Sequence, residues 1–390
     1  MSIGKVLTFQ PDSCQQSPMH PVFGNILTPS GFVSGSLSFT PEGRIERIQG
    51  KAIGEDAARA SGQSMVLPGF IDLHVHGAGG RDIMEGGDAA HRVSEVHAEH
   101  GTTSMLATTM TAPMEDLVSA MQSLSGICQQ RLPGGARVLG VHLEGPYIND
   151  HKLGAQPAYA RPVHIEELSH LNALAPIRLI TMAPEVPGNM DLIESLCLAG
   201  YRVQIGHTMG TYEDGVQALA KGARGFTHLF NAMSGLHHRE PGMVGAALAH
   251  AQYAEIIPDL IHVHPGAIQV ALRAIPCLYC VSDSTAATGM PDGEYRLGSH
   301  QVYKCMGGVR LADGTLAGST LTLDQALRNL VNTLDLSVLE ASKRVSTHAA
   351  DYLGIGDRGR LAMGAWGDMV VLDQDLQLQS VFVEGKPVNR

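Results

Sequence analysis

The chain has 390 residues and a formal net charge of −11, from 27 lysines and arginines against 38 aspartates and glutamates. Its composition, 44% apolar and 17% charged, can bury a full core and excludes a disordered or fibrous protein. The acidic balance argues against a nucleic-acid partner, and the absence of a long apolar run, a signal-peptide pattern and clustered cysteines predicts a cytoplasmic protein without a membrane partner.

The two ends of the chain predict a small β domain. Residues 1–65 contain short strand-like pieces separated by proline and glycine, and residues 355–390 show the alternation of a hairpin. Neither end alone has enough strands for a stable sheet. We therefore expect both ends to pair into one small β-sandwich domain beside the rest of the chain.

Residues 66–354 alternate short apolar, β-branched runs with helical segments such as Ala89–His100 and Met190–Ala199. This alternation predicts parallel βαβ units, and eight of them fit a TIM-like (β/α)8 barrel of the α/β class. An open doubly wound sheet is the alternative, but no Gly-x-Gly-x-x-Gly follows the first strand. The predicted strands are Phe70–Val75, Thr103–Thr108, Val138–Leu143, Arg178–Ala183, Arg202–Gly206, Gly225–Phe230, Glu255–Val263 and Leu278–Ser282.

Histidines and carboxylates occur at the ends of several of these strands, where barrel enzymes place their catalytic groups. His74 and His76 end the first strand and point to one face, because alternate residues of a strand do so. Any one of these residues alone is more often structural, but their joint placement predicts a metal centre. Nitrogen and carboxylate donors together suit Zn²⁺, Fe²⁺ or Mn²⁺. The later strands contribute His142, Glu144, His207, His228 and Asp283.

A metal site of this kind predicts hydrolysis. A bound metal lowers the pKa of a water molecule and polarises a carbonyl oxygen, which suits the cleavage of an amide or ester. A carboxylate beside that water can take its proton and deliver it to the leaving nitrogen. Asp283 is the only acidic residue at the end of the last strand, so it is the candidate general base and later general acid.

Longer motifs run through the whole barrel region, among them PGFIDLHVHG (68–77), GVHLEGPYIN (140–149), FTHLFNAMSGLHHREPGMVGA (226–246) and VSDSTAATGMPDGEYRLG (281–298). These segments resemble the N-acetylglucosamine-6-phosphate deacetylases of the amidohydrolase superfamily. The resemblance covers essentially the full length, including the flanking β segments.

The resemblance implies a role for each matching position. Glu144, His207 and His228 would hold the primary metal, and Asp283 would be the catalytic acid and base. Some relatives carry Gln and Asn in place of the first two histidines and hold one metal, whereas this chain has His74 and His76, which predicts a second metal bridged through Glu144. The sugar phosphate would be contacted by Ala155, Gln156, Asn231, Ala232, Arg239, His262, Leu316, Ala317 and Gly318.

These features predict hydrolysis of the N-acetyl group of N-acetyl-D-glucosamine 6-phosphate, in amino-sugar catabolism. The expected cofactor is a divalent metal, Zn²⁺ or alternatively Fe²⁺, with one or two ions per chain. The expected assembly is a homodimer in which Arg239 reaches the neighbouring site.

Three alternatives stay open. The first is an N-acetylgalactosamine-6-phosphate deacetylase, whose substrate differs only in the orientation at C4. The second is an amidohydrolase of cyclic amides, although such enzymes typically use a lysine on the fourth strand and Arg178–Ala183 contains none. The third is a degenerate barrel that serves as a scaffold, although such relatives usually lose ligands that this chain keeps.

Overall fold

The computed structural model of this chain describes residues 20–389, whose strands fall into five sheets. In chain order the strands are β1 (Val22–Thr28), β2 (Gly31–Phe39), β3 (Ile45–Ile53), β4 (Met65–Pro68), β5 (Phe70–Val75), β6 (Gly77–Ala78), β7 (Arg81–Asp82), β8 (Thr102–Thr109), β9 (Arg137–Glu144), β10 (Ile177–Met182), β11 (Arg202–Ile205), β12 (Gly225–Phe226), β13 (Tyr253–Ile256), β14 (Cys277–Cys280), β15 (Gly293–Leu297), β16 (His300–Cys305), β17 (Gly308–Arg310), β18 (Met369–Leu372), β19 (Leu378–Val383) and β20 (Lys386–Pro387).

Helices alternate with the central strands. They are α1 (Glu55–Ala60), α2 (Ala89–Glu99), α3 (Met114–Gln129), α4 (Ile165–Leu174), α5 (Asn189–Leu198), α6 (Tyr212–Ala220), α7 (Gly242–His250), α8 (Pro265–Ala274), α9 (Leu323–Asn332), α10 (Val338–Ser342) and α11 (His348–Leu353), with a 3-10 turn at Ile83–Glu85 and a π-helix at Lys343–Thr347. No helix between residues 20 and 389 combines the length and the apolar character needed to cross a membrane.

Eight parallel strands form the barrel. Strands β5, β8, β9, β10, β11 and β12 make one sheet in that order, and β13 pairs with β14. The ring closes through two backbone hydrogen bonds of 2.9 Å, from Leu229 N to Glu255 O and from Asp283 N to His74 O. The predicted fold class, a (β/α)8 barrel with a small β domain, is confirmed.

The barrel strands are buried on both faces, as parallel strands covered by helices are. Every residue of β5 and β8 is buried. The polar residues of these strands therefore point either into the barrel or against the helices, where each needs a hydrogen-bond partner.

Two strands are shorter than the sequence pattern predicts. The sixth ends at Phe226, because His228 and Phe230 adopt positive φ angles of 29° and 82° that leave the extended conformation. The seventh runs over Tyr253–Ile256 and not to Val263, since Pro258 has no N–H to donate to a neighbouring strand. Both loops that replace the predicted strand ends contribute to the site.

The small domain is one seven-stranded sheet from both ends of the described chain, in the order β20-β19-β18-β4-β1-β2-β3. Phe39 of β2 stacks on Phe382 of β19 with ring centroids 6.2 Å apart. A flat sheet would hold these two strands roughly 19 Å apart, so the sheet curls until its halves face each other across a core that includes Ile26 and Leu37. Residues 1–19 and 390 lie outside the described chain, and the domain limits at residues 65 and 355 stay a prediction.

A three-stranded antiparallel sheet, β15–β17, is inserted after the last barrel strand. Nζ of Lys304 ties it to the loop that follows β14 by donating to the carbonyl oxygens of Ala287 (3.2 Å) and Met290 (2.6 Å). Leu297 of this insertion packs against Met110 of the loop after β8. The insertion therefore covers one side of the barrel mouth.

Candidate metal centre

The carboxylate of Glu144, at the end of β9, lies between two pairs of histidines. Its Oε1 is 3.1 Å from Nε2 of both His207 and His228, and its Oε2 is 3.3 Å and 3.1 Å from Nε2 of His74 and His76. Within each pair the two Nε2 atoms are 3.1 Å apart. One carboxylate thus faces four imidazoles that come from three other strand ends.

Asp283 completes this arrangement, with its Oδ1 3.4 Å from Nε2 of both His74 and His76. The six side chains form two groups whose ligand atoms lie within 4.8 Å of one another: position 1 consists of Glu144, His207 and His228, and position 2 of His74, His76 and Asp283. A tetrahedral metal with bonds of about 2.1 Å separates neighbouring ligand atoms by roughly 3.4 Å. The observed separations of 3.1 to 3.4 Å are of this size.

The hydrogen bonds behind the histidines test whether a metal fits. Nδ1 of His207 donates to the carbonyl oxygen of Lys152 at 2.7 Å, and Nδ1 of His74 donates to Oε2 of Glu255 at 3.0 Å. In the neutral ring the opposite nitrogen, Nε2, then carries a lone pair and faces the oxygens of Glu144. Two electron-pair donors at this distance repel each other unless a cation lies beside them. The donor set therefore fits a divalent metal.

The pKa values of these groups reflect the same electrostatics. Burial acts to lower the pKa of His76, but the carboxylates of Asp283 and Glu144 raise it to about 9. Burial acts to raise the pKa of Asp283, but His74 and His76 lower it to about 2. The pKa of Glu144 is likewise held well below its usual range by the facing histidines. These directions show that the buried acids are stabilised by positive charge beside them, which a bound metal would supply.

Three of the six candidate ligands have strained backbones. His207, His228 and Asp283 have φ angles of 48°, 29° and 50°, in the left-handed region that residues other than glycine rarely adopt. Such conformations cost on the order of 1–3 kcal/mol each and persist only where the surroundings hold them. Hydrogen bonds supply that hold, for example from Asn149 N to His207 O at 3.0 Å. Strained residues cluster at functional sites, so three of them at one edge of the barrel make that edge the candidate site.

His142, which the sequence also places at a strand end, belongs to the layer below. Its Nδ1 donates to the carbonyl oxygen of Leu73 (3.1 Å), and its Nε2 accepts from the hydroxyl of Thr181 (2.7 Å). Burial and the neighbouring His74 lower the pKa of His142 to about 3, so the ring is neutral. Both nitrogens are engaged, and His142 supports the site without facing either metal position.

A cavity of about 320 Å³ opens above the metal positions. Most residues that the resemblance assigns to the sugar phosphate line it: Ala155, Gln156, Asn231, Ala232, His262, Leu316 and Gly318. Ala317 is fully buried in the core of the insertion and does not line the cavity. His74 is fully buried behind His76, whereas His76, Glu144, His207, His228 and Asp283 reach the cavity wall.

Gln156 and Arg239, both predicted to contact the sugar phosphate, have other partners in the structure. Gln156 donates from Nε2 to Oε2 of Glu144 at 2.7 Å, and its Oε1 accepts the N–H of Thr111 at 2.7 Å. Its amide is thus already committed to the metal-facing carboxylate. Arg239 is exposed, contacts His238 at 2.7 Å, and is not among the residues that line the cavity of its own chain.

Several lining or supporting residues are not among those predicted from the sequence. Among the described residues that line the cavity, Lys152 is the only lysine or arginine. It follows Glu144 by eight residues in the same loop, which is the signal that could have found it. Asp259 accepts from Nδ1 of His262 at 2.6 Å and so orients a residue of the cavity wall. The other lining residues that were missed are Met110, His151, Gly154, Leu297 and Thr315.

Comparison with known proteins gives a consistent result. Residues 65–388 match the Amidohydrolase family. The chain is similar to the N-acetylglucosamine-6-phosphate deacetylase of Vibrio furnissii, with 39% identity over 332 residues, 83% of this chain and 82% of that protein. It is equally similar to the N-acetylgalactosamine-6-phosphate deacetylase of Escherichia coli O157:H7, with 39% identity over 329 residues, 83% of this chain and 87% of that protein.

Solved structures agree with the sequence comparison. The chain is similar to the N-acetylglucosamine-6-phosphate deacetylase of Thermotoga maritima, with a TM-score of 0.87 and 32% identity over 95% of this chain and 100% of that one. It is also similar to an aspartate-to-alanine mutant of the Mycobacterium smegmatis N-acetyl-D-glucosamine-6-phosphate deacetylase in complex with N-acetyl-D-glucosamine-6-phosphate, with a TM-score of 0.85 and 30% identity over 94% and 98% of the two chains.

Proposed function

The chain belongs to the amidohydrolase family, and on this basis we propose that it is a hydrolase that removes the N-acetyl group of N-acetyl-D-glucosamine 6-phosphate. The products are D-glucosamine 6-phosphate and acetate, as a step of amino-sugar catabolism. The observation that carries the proposal is the carboxylate of Asp283, which lies 3.4 Å from Nε2 of both His74 and His76 on the wall of a 320 Å³ cavity.

The proposed cofactor is a divalent metal, with Zn²⁺ preferred and Fe²⁺ as the alternative, in one or two ions per chain. Glu144, His207 and His228 would hold one ion, and His74 and His76 with Asp283 a second. When bound, such an ion supplies a water of lowered pKa and polarises the acetyl carbonyl. Gln156 keeps the oxygens of Glu144 oriented through its 2.7 Å hydrogen bond.

Asp283 would transfer the proton, and His262 would contact the acetyl oxygen. The facing histidines keep the carboxylate of Asp283 ionised. It would accept a proton from the attacking water and later deliver that proton to the amide nitrogen. His262 lines the cavity, and its Nδ1–H is held by Asp259 at 2.6 Å. Asp259 thus fixes the orientation of this ring, and we assign to His262 a contact with the acetyl oxygen.

The 6-phosphate would be bound by Arg239 from a neighbouring subunit. Arginine presents a planar pair of donors that matches two phosphate oxygens. Arg239 lies on the exposed loop after His228 and does not line the cavity of its own chain, which is the placement expected of a residue that serves the other protomer of a homodimer. Lys152 provides a cation within each cavity.

The substrate and product are dianionic at the phosphate and do not cross a bilayer unaided, so the reaction must take place where the sugar is phosphorylated. We assign that place to the cytoplasm.

A galactosamine substrate is the second candidate, since the chain is 39% identical to relatives named for either epimer. The deciding experiment measures acetate release, as kcat/KM, from the two 6-phosphates and from unphosphorylated N-acetylglucosamine, together with the metal content of the purified protein. No release from either phosphate by the metal-loaded protein would refute the proposal.

A further inference from the structure

Glu255, on β13, is a fully buried carboxylate that lies behind the metal positions and not between them. Its Oε2 is 3.0 Å from Nδ1 of His74, and the same oxygen accepts the backbone N–H of His228 at 3.2 Å. Its Oε1 faces the hydroxyl of Tyr279 at 3.4 Å. A buried carboxylate needs such partners, and these connect it to both metal positions.

The four metal-facing histidines differ in what supports their second ring nitrogen. Nδ1 of His207 donates to a backbone carbonyl, that of Lys152. Nδ1 of His76 and of His228 is buried without a hydrogen-bond partner in the described structure. His74 is therefore the one member of this set whose ring is backed by a carboxylate. The acceptor behind His207 is a neutral carbonyl, and His76 and His228 have none in the described structure.

We propose that Glu255 is a positioning residue that organises both metal positions from behind. Because Oε2 holds the proton of His74 on Nδ1, the lone pair of Nε2 must point toward position 2. Because the same oxygen accepts the N–H of His228, whose φ is 29°, it also stabilises the strained main chain that presents a ligand of position 1. Glu144 connects the two positions through the Nε2 atoms of their histidines. Glu255 connects them through Nδ1 of His74 and the backbone N–H of His228.

This inference rests on the proposed metal-dependent function and adds to it a dependence on a residue that touches neither metal nor substrate. Outer partners of metal-bound histidines typically change metal affinity by roughly 10- to 100-fold. We expect Glu255→Gln to weaken metal binding at position 2 by a factor in that range. Position 1 should weaken less, since only the main chain of His228 is involved. A residue that merely filled space in the core would change stability without this difference.

The test uses stripped full-length protein titrated with Zn²⁺ against a competing chelator, so that each equivalent has its own affinity. Asp324→Asn is the matched control, because Asp324 is also a buried carboxylate beside a histidine ring (3.4 Å to Nδ1 of His100) but does not line the cavity. It should bind both equivalents as wild type does. Two wild-type equivalents, with one weakened 10- to 100-fold in Glu255→Gln alone, would support the proposal.

Two further outcomes would overturn it. Unchanged affinities in Glu255→Gln would show that Glu255 has no positioning role while leaving the proposed function intact, whereas no Zn²⁺ binding by wild type would refute both. If Glu255→Gln does not fold, an NMR measurement on the wild-type protein tests the proposal. Its Zn²⁺-loaded form should show a hydrogen-bonded Nδ1 proton in NMR spectra of labelled histidine that is lost in His74→Asn. Absence of that signal would overturn the proposal.

Discussion

The amide nitrogen of Gln156 donates a 2.7 Å hydrogen bond to Oε2 of Glu144, the carboxylate that faces all four metal-facing histidines. The other end of the amide accepts from the backbone of Thr111, so the side chain has one fixed orientation. The side chain that the family resemblance assigns to the sugar is therefore also a support for the metal ligand.

We predict that Gln156→Leu weakens metal binding by roughly 10- to 100-fold, because Glu144 loses the donor that orients it. Chelator competition measures this change. Gln301→Leu is the matched control, since Gln301 makes the same 2.7 Å amide-to-carboxylate contact with Glu294 at the surface of the insertion. Equal metal affinities in the two variants would contradict the prediction.

Replacing Asp283 with asparagine should abolish turnover while metal stays bound at position 1, which keeps its three ligands. The change preserves shape but removes the proton carrier, and general acid–base catalysis is worth roughly 10² to 10⁴ in rate. Single-turnover acetate release together with metal analysis checks both parts. Activity within a few-fold of wild type would show that another group moves the proton.

The double variant His74→Ala with His76→Ala should bind one metal equivalent fewer than wild type. Both histidines belong to position 2, whereas position 1 keeps its three ligands. Counting Zn²⁺ equivalents in stripped protein tests this prediction. Unchanged stoichiometry and activity would mean that the pair supports the site without binding metal.

Arg239→Ala should raise KM for the 6-phosphate substrate by roughly 10- to 100-fold and leave hydrolysis of the unphosphorylated sugar nearly unchanged, since it removes charge-assisted hydrogen bonds to phosphate. If Arg239 serves the neighbouring subunit, mixing this variant with Asp283→Asn should restore activity through hybrid dimers. Lys152→Ala is the comparison, because Lys152 and Asp283 line the same cavity of one chain. Mixing Lys152→Ala with Asp283→Asn should therefore restore no activity. Equal losses on both sugars would assign Arg239 to loop structure.

Acid should destabilise the fold through His97, which is fully buried and whose Nε2 lies 2.9 Å from the hydroxyl of Ser284. Burial lowers the pKa of His97 to about 3 from an ordinary value of 6.5. The unfolded chain therefore binds a proton that the folded chain rejects, and stability falls as pH drops from 6.5 toward 3.

The expected slope from this one group is about 1.4 kcal/mol per pH unit. Denaturant unfolding at several pH values gives the dependence of the unfolding free energy on pH. In His97→Gln that slope should be smaller by about 1.4 kcal/mol per pH unit, the contribution of one proton. His91→Gln, which changes a half-buried histidine of the same helix, is the control and should leave the slope unchanged. An identical slope in wild type and His97→Gln would contradict the prediction.

The sequence by itself determined the barrel and most of the candidate ligands. Apolar runs with a period of two and helical segments between them are local patterns, and parallel strands bring their carboxyl ends to one edge in any such barrel. That is why the sequence alone predicts that His74, His76, Glu144 and Asp283 lie together. The same pattern predicted the sixth and seventh strands too long. They end at Phe226 and Ile256, because residues with left-handed backbone and Pro258 follow them.

Only the tertiary structure decided which groups support the ligands. The contact of Glu255 with His74 joins residues 181 positions apart, and no periodicity relates their side chains. The packing of loops from different strands over the barrel mouth likewise decides three other features. Gln156 donates to Glu144, Ala317 is buried, and Arg239 does not line the cavity of its own chain. Hydrophobic pattern fixes which residues share a strand face, but hydrogen bonds among buried polar groups are satisfied in three dimensions, and those bonds set the geometry of this site.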